Sequence, residues 1–150
     1  MRTSLIAALL LTATAATAAG NDGLVTLRSG HPPKQTLDRF EEMAKSKGMK
    51  IFARIDHAAG ARSIGQELRP TELIIFGNPQ GGTPLMQCAQ SAGIDLPLKA
   101  LAWQDASGQT WLAYNDPAWI AARHGAGECG GVPAKMRGAL DAFAKHATTK

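Results

Sequence analysis

An α+β two-layer sandwich, a mostly antiparallel sheet with helices packed on one face, is the fold the sequence predicts. Three observations carry it. Short β-prone runs alternate with helical-period segments, but no strict strand–helix–strand repeat is present. Two late runs, around Leu98 to Trp103 and Trp111 to Tyr114, are separated by a Ser107-Gly108 turn of the kind that closes a hairpin. With 150 residues, 45% of them apolar, the chain can bury one core and reads as one domain.

At the N-terminus Arg2 precedes an apolar run, Leu5 to Leu11, that fades into Ala16-Thr17-Ala18. A positive start, a short apolar stretch and small residues describe a secretory signal peptide over 1–19, and the run is too short to span a bilayer, which takes about 20 residues. The domain is then 20–150, periplasmic or secreted, with no membrane attachment after signal removal. Leu24, Val25 and Leu27 form a first strand ended by Ser29-Gly30 and Pro32-Pro33. From Gln35 to Lys47, Leu37, Phe40, Met43 and Ala44 recur at helical spacing, and Gly48 closes the helix.

Met49, Ile51, Ala53 and Ile55 alternate with Lys50, Phe52, Arg54 and Asp56, which predicts a strand with one buried face; only Phe52 breaks its polar side. His57 ends that strand, and Ala58 to Gly65 reads as a short helical turn or loop. The run Leu73 to Phe76, ended by Gly77-Asn78-Pro79, is a central strand. After Gly81-Gly82, Thr83 is placed to cap a helix and Pro84 to open it, with Leu85, Met86, Ala89 and Ala92 inward and Gly93 as its end. The hairpin follows. Asn115-Asp116-Pro117 opens a short helix to His124, Gly125 to Gly131 is a glycine loop, and Pro133 starts a last helix with Met136, Leu140, Phe143 and Ala147 on one face.

Without Arg2 the domain has 15 basic and 12 acidic residues, interspersed, with no basic run carrying aromatics, so nucleic acid is not an expected partner. The turn from Gly77 to Thr83 precedes a helix, whose free N–H groups attract anions, but its spacing matches neither the P-loop nor the dinucleotide fingerprint. His57, Asn78, Gly81, Gly82, Thr83, Met86 and His124 are the candidate binding residues for a small-molecule or anionic ligand. No His/Cys spacing marks a metal site, and no cofactor can be named. Cys88 and Cys129 leave three readings open: a disulfide closing a loop of about 40 residues, two free thiols, or a reactive Cys88. Trp103, Trp111, Trp119 and Tyr114 read as hairpin and core packing.

Taken together, IDH at Ile55 to His57, LRPTELIIFGNPQGGTPLM from Leu68 to Met86, AGIDLPLKALAWQD from Ala92 to Asp105, and YNDP followed by RHG resemble the DUF302 family. That resemblance covers almost all of the exported part. It implies a compact α+β domain, often a homodimer, and no established activity. The function expected from the sequence is therefore non-enzymatic binding of a small ligand at the Gly-rich turn. Its rivals are a metal- or haem-associated redox accessory protein and an enzyme using Cys88 or His57.

Overall fold

A computed structural model describes residues 22–150; the expected signal peptide lies outside them. Five strands form one fully antiparallel sheet: β1 (Leu24–Ser29), β2 (Lys50–Asp56), β3 (Thr71–Gly77), β4 (Leu98–Gln104) and β5 (Thr110–Asn115), in the order β1-β5-β4-β3-β2. Five α-helices accompany it: α1 (Pro33–Ser46), α2 (His57–Ser63), α3 (Pro79–Cys88), α4 (Pro117–Arg123) and α5 (Val132–Thr148). Because β1 and β2 are opposite edges, α1 must carry the chain across the whole sheet, and α5 packs beside it. The predicted fold class is the one observed.

The core lies between this sheet and α1 and α5. Phe40 of α1, Phe76 of β3 and Phe143 of α5 meet edge-to-face, with ring centroids 5.0, 5.7 and 6.4 Å apart, and all three are fully buried. Such aromatic pairs add about 0.5–1.5 kcal/mol each beyond the area they bury. Tyr114 reaches the same layer, and its hydroxyl donates to Asp141 Oδ1 at 2.6 Å. Burial first, and the Asp141 carboxylate second, push the Tyr114 phenol upward, so it stays a neutral donor.

Two local readings of the sequence are corrected. The helix after the Gly-rich turn starts at Pro79, not at Thr83-Pro84. Asn78 is its cap, accepting the Gly81 N–H at 2.7 Å, and Pro79 takes the first helical position, so Pro84 lies inside the helix. That helix also stops early, at Cys88, and a separate 3₁₀ turn runs over Gln90–Ile94.

The second correction concerns β2, where the pairing slips between Ile51, opposite Phe76, and Ala53, opposite Ile75. Phe52 is the extra residue of a β-bulge, and the residues after it change faces. Arg54 now points toward the helices and ion-pairs with Glu41 at 2.9 Å, Glu72 at 2.7 Å and Asp38 at 3.3 Å. Ala53 and Ile55, expected in the core, lie on the other face, and Ile55 is 39% exposed.

Among the described residues no helix covers that other face, where Ile55, Leu73, Ile75, Leu101, Trp103 and Trp111 form a half-buried to exposed apolar sheet surface. Two cations on it are tied down. Lys99 Nζ donates to the carbonyls of Asp95 and Pro97, and Arg28 lies over the Trp111 ring while donating to Gln109.

Candidate functional site

Where β3 ends and α3 begins, the chain forms a cavity of about 330 Å³ that is partly open to solvent. Its size is that of small-molecule sites, which run from about 300 to 1,000 Å³. The turn, α5 and the segment from Gly93 to Leu98 all contribute to its lining. Three of the chain's five methionines, Met49, Met86 and Met136, face it, together with Phe52, Phe76 and Phe143. Phe52, the extra residue of the bulge, is among them, and Lys50 Nζ lies over its ring, 5.1 Å from the centroid. Methionine side chains adapt their shape readily, so these walls can close around guests of different outline.

Of the seven candidate binding residues, the fold brings five to this cavity: Asn78, Gly81, Gly82, Thr83 and Met86. Both histidines lie elsewhere. His57 is the exposed first residue of α2, where Asp56 caps the helix by accepting the Ala59 N–H at 2.8 Å. His124, at the end of α4, is held between Ser91 Oγ, 2.9 Å from Nδ1, and Asp95 Oδ2, 2.7 Å from Nε2; Arg123 donates to the same Asp95 at 3.1 Å. This network fastens α4 to the 3₁₀ turn behind the cavity rather than lining it.

Two backbone donors of the anion cradle expected at the turn are engaged within the chain. Asn78 Oδ1 takes the Gly81 N–H and the Asn78 carbonyl takes the Gly82 N–H at 3.1 Å, so the helix start is capped by its own residue. No acidic or basic side chain lines the cavity. The groups whose acidity is displaced, Asp38, Glu41, Arg54, Asp105 and Tyr114, all lie outside it.

Cys88 and Cys129 are bonded to each other, with Cα atoms 6.0 Å apart. The bond brings the glycine loop onto the end of α3, and a bonded Cys88 offers no thiolate for nucleophilic attack or metal binding. Among the described residues no group of three or more His, Cys, Asp or Glu side chains is arranged to hold a metal ion. Sequence reasoning missed Met49, Phe52, Leu96, Met136 and Phe143 as cavity residues. Only Phe52 carried a signal, as the apolar interruption on the polar side of β2.

The family model described as a domain of unknown function, DUF302, matches residues 25–143. A crystal structure of an uncharacterized conserved DUF302 protein from Bacillus stearothermophilus superposes with a TM-score of 0.75 at 18% identity, covering 83% of this chain and 98% of that one, which is a likeness of fold. Proteins named fluoride-specific ion channel FluC 1 from Brucella suis and Brucella abortus are each 56% identical to this chain over 107 residues, 71% of it. The chain spans about two fifths of the length of these curated relatives, 42% and 40%. No helix among the described residues is long and apolar enough to cross a membrane.

Proposed function

The chain belongs to the DUF302 family, a domain of unknown function, and on that premise we propose that it is an exported, non-enzymatic module that binds a small ligand at the Gly-rich turn. One observation carries the reading: a preformed cavity at the junction of β3, α3 and α5, to which five of the sequence-predicted binding residues converge. Supporting it, the groups with displaced acidity all lie elsewhere, whereas catalytic sites are where such groups cluster. Export is supported by the Cys88–Cys129 bridge, a bond that persists in oxidising compartments and is rare in the cytosol.

The fluoride-channel names describe proteins of which this chain spans about two fifths. Fluoride is not the ligand proposed here, because a small, strongly hydrated anion gains little from a cavity whose lining is mainly apolar and includes no cationic residue. The test is native mass spectrometry of protein purified from its own host. A co-purified mass that leaves on denaturation, on a chain beginning at Ala19 or Gly20, is the expected result. Full-length chain in the cytoplasm would remove the export reading, and failure to bind any member of a metabolite collection would remove the binding reading.

The partner proposed for the uncovered sheet face is a second copy of the chain. Five strands about 4.8 Å apart and about 20 Å long give a footprint of roughly 500 Å², of the order of the ~800 Å² of accessible surface per partner in a stable interface. The largest apolar patch of a typical monomer is itself about 300–600 Å² and is often functional. Lys99 and Arg28 keep their charges on this face but are held in fixed positions by hydrogen bonds within the chain and, for Arg28, by the Trp111 ring. Sedimentation of wild type and of Ile75→Asp checks it: a dimer that the substitution dissociates is expected, and a monomeric wild type at micromolar concentration overturns it.

A further inference from the structure

The chemistry of the cavity walls says what kind of ligand belongs there. They carry no ionisable side chain, and their deep part is methionine, phenylalanine and leucine. A charge placed among them would be stripped of water with nothing to replace it, whereas an apolar chain would lose only unfavourable contact with water. Polar groups are confined to the turn. The Asn78 amide oxygen is engaged with Gly81, but the Asn78 amide N–H₂ and the Thr83 hydroxyl make no hydrogen bond to protein among the described residues. Both can donate to an oxygen acceptor.

Gly82 carries an independent sign that the space is kept open. It lies inside α3, where glycine is the poorest helix former after proline. A Cβ there would meet only Leu96 Cδ1 at 3.6 Å and Met86 Cε at 3.9 Å, ordinary contacts with two cavity-lining side chains. Close packing therefore does not require glycine here, and its lack of a side chain leaves the space beside Leu96 and Met86 open.

We propose that the ligand is an uncharged, mainly apolar molecule of about ten to a dozen non-hydrogen atoms with one oxygen-bearing polar group, of the class of medium-chain alcohols and esters. Its size follows from the cavity volume at about 30 Å³ for each water-sized group. Its apolar part lies among Met86, Met136 and Phe143, and its oxygen accepts from Thr83 or Asn78. This rests on the binding function proposed above and narrows it to one ligand class.

The experiment is a competition among probes that differ in head group: 1-decanol, decanoate at pH 8 and inorganic phosphate, with binding read by calorimetry and thermal shift. Decanol is expected to bind saturably, at least tenfold more tightly than decanoate, with phosphate showing no saturation. Gly82→Leu, which fills the cavity from α3, is expected to weaken decanol at least tenfold, and Thr83→Val about fivefold. Ala139→Leu fills it from α5 and serves if Gly82→Leu fails to fold as judged by circular dichroism. Decanoate or phosphate binding as tightly as decanol, or decanol binding untouched by both filling variants, overturns the ligand class. A charged co-purified metabolite displaced by the filling variants also overturns the class but leaves the binding function standing. No binding of any probe together with no co-purified mass overturns both.

Discussion

Opening the Cys88–Cys129 bridge tests how α3 and α5 are held together. Cys88 is the last residue of α3 and Cys129 lies in the 3₁₀ turn Cys129–Gly131 that leads into α5, so the bond ties the end of α3 to the start of α5, two helices that both contribute lining residues. The two cysteines are 41 residues apart in sequence. On the chain-entropy model, releasing a loop of that length returns about 13 cal/mol/K to the unfolded chain, or about 4 kcal/mol at 25 °C. Cys88 is exposed and Cys129 only partly buried, so serine at both positions removes little packing and isolates the cross-link. For a domain of this size, about 4 kcal/mol corresponds to roughly 12–15 °C in Tm. The assay is urea unfolding of the oxidised protein, the dithiothreitol-reduced protein and Cys88→Ser/Cys129→Ser. The two uncross-linked forms are expected to coincide, each about 4 kcal/mol less stable than the oxidised form, with a larger denaturant slope because their unfolded chains expand further. Oxidised and reduced forms agreeing within about 1 kcal/mol would refute the reasoning, as would two free thiols per chain in denatured, unreduced protein.

Two further predictions concern charge. Replacing Arg54 by methionine leaves Asp38, Glu41 and Glu72 facing one another without their shared cation; given their partial exposure, a loss of about 2 kcal/mol at pH 7 is expected from urea unfolding. Lys45 and then Arg54 hold Glu41 below its usual range, and at Asp38 the desolvation that would raise the carboxyl is outweighed by Lys34 and Arg54. Wild type therefore loses this contribution as pH falls through the carboxylate range, whereas the crowded carboxylates of the variant are relieved by protonation. The gap between the two should narrow below about pH 4; a gap independent of pH would contradict the network. Asp105 organises the β4–β5 turn, accepting from the Ser107 hydroxyl and the Trp111 indole, which pull its carboxyl down from 3.8 to about 2. Because its folded value is the lower one, its stabilisation is present above about pH 4 and disappears toward pH 2. The Tm difference between wild type and Asp105→Ala should therefore close over that interval, and a constant difference down to pH 2 would exclude the carboxylate as its source.

What the sequence determined by itself is what depends on near neighbours in the chain. The central strand Leu73 to Phe76, the helical period of Leu37, Phe40 and Ala44, the hairpin turn at Ser107-Gly108 and the Asp116-Pro117 helix start are each written within a few residues. These local signals were enough for the fold class and for locating the Gly-rich turn. The helix start was misplaced by five residues because Asn78-Pro79 and Thr83-Pro84 offer the same signal, a capping side chain before a proline. Only the folded chain, in which Asn78 bonds to Gly81, chooses between them.

Tertiary structure alone decided the rest. The bulge at Phe52 depends on which residues of β3 lie opposite, a relation that alternation along one strand cannot express. It sends Arg54 to the acidic side chains of α1 and turns Ile55 to the open face, and its extra residue, Phe52, lines the cavity. The cavity itself is assembled from β2, β3, α3, the segment Gly93 to Leu98 and α5, a separation of about ninety residues from Met49 to Phe143. Met49, Met86 and Met136 carry no individual mark of a binding wall, because a methionine facing a cavity and one facing the core read alike in sequence. His124 has the chemistry of a ligand-binding residue, but the fold surrounds it with Ser91, Asp95 and Arg123 and so commits its ring nitrogens to holding α4 in place. The physical reason is the same throughout: local sequence sets periodicity and caps, whereas partners across a sheet or between helices are set by closure of the whole core around Phe40, Phe76 and Phe143.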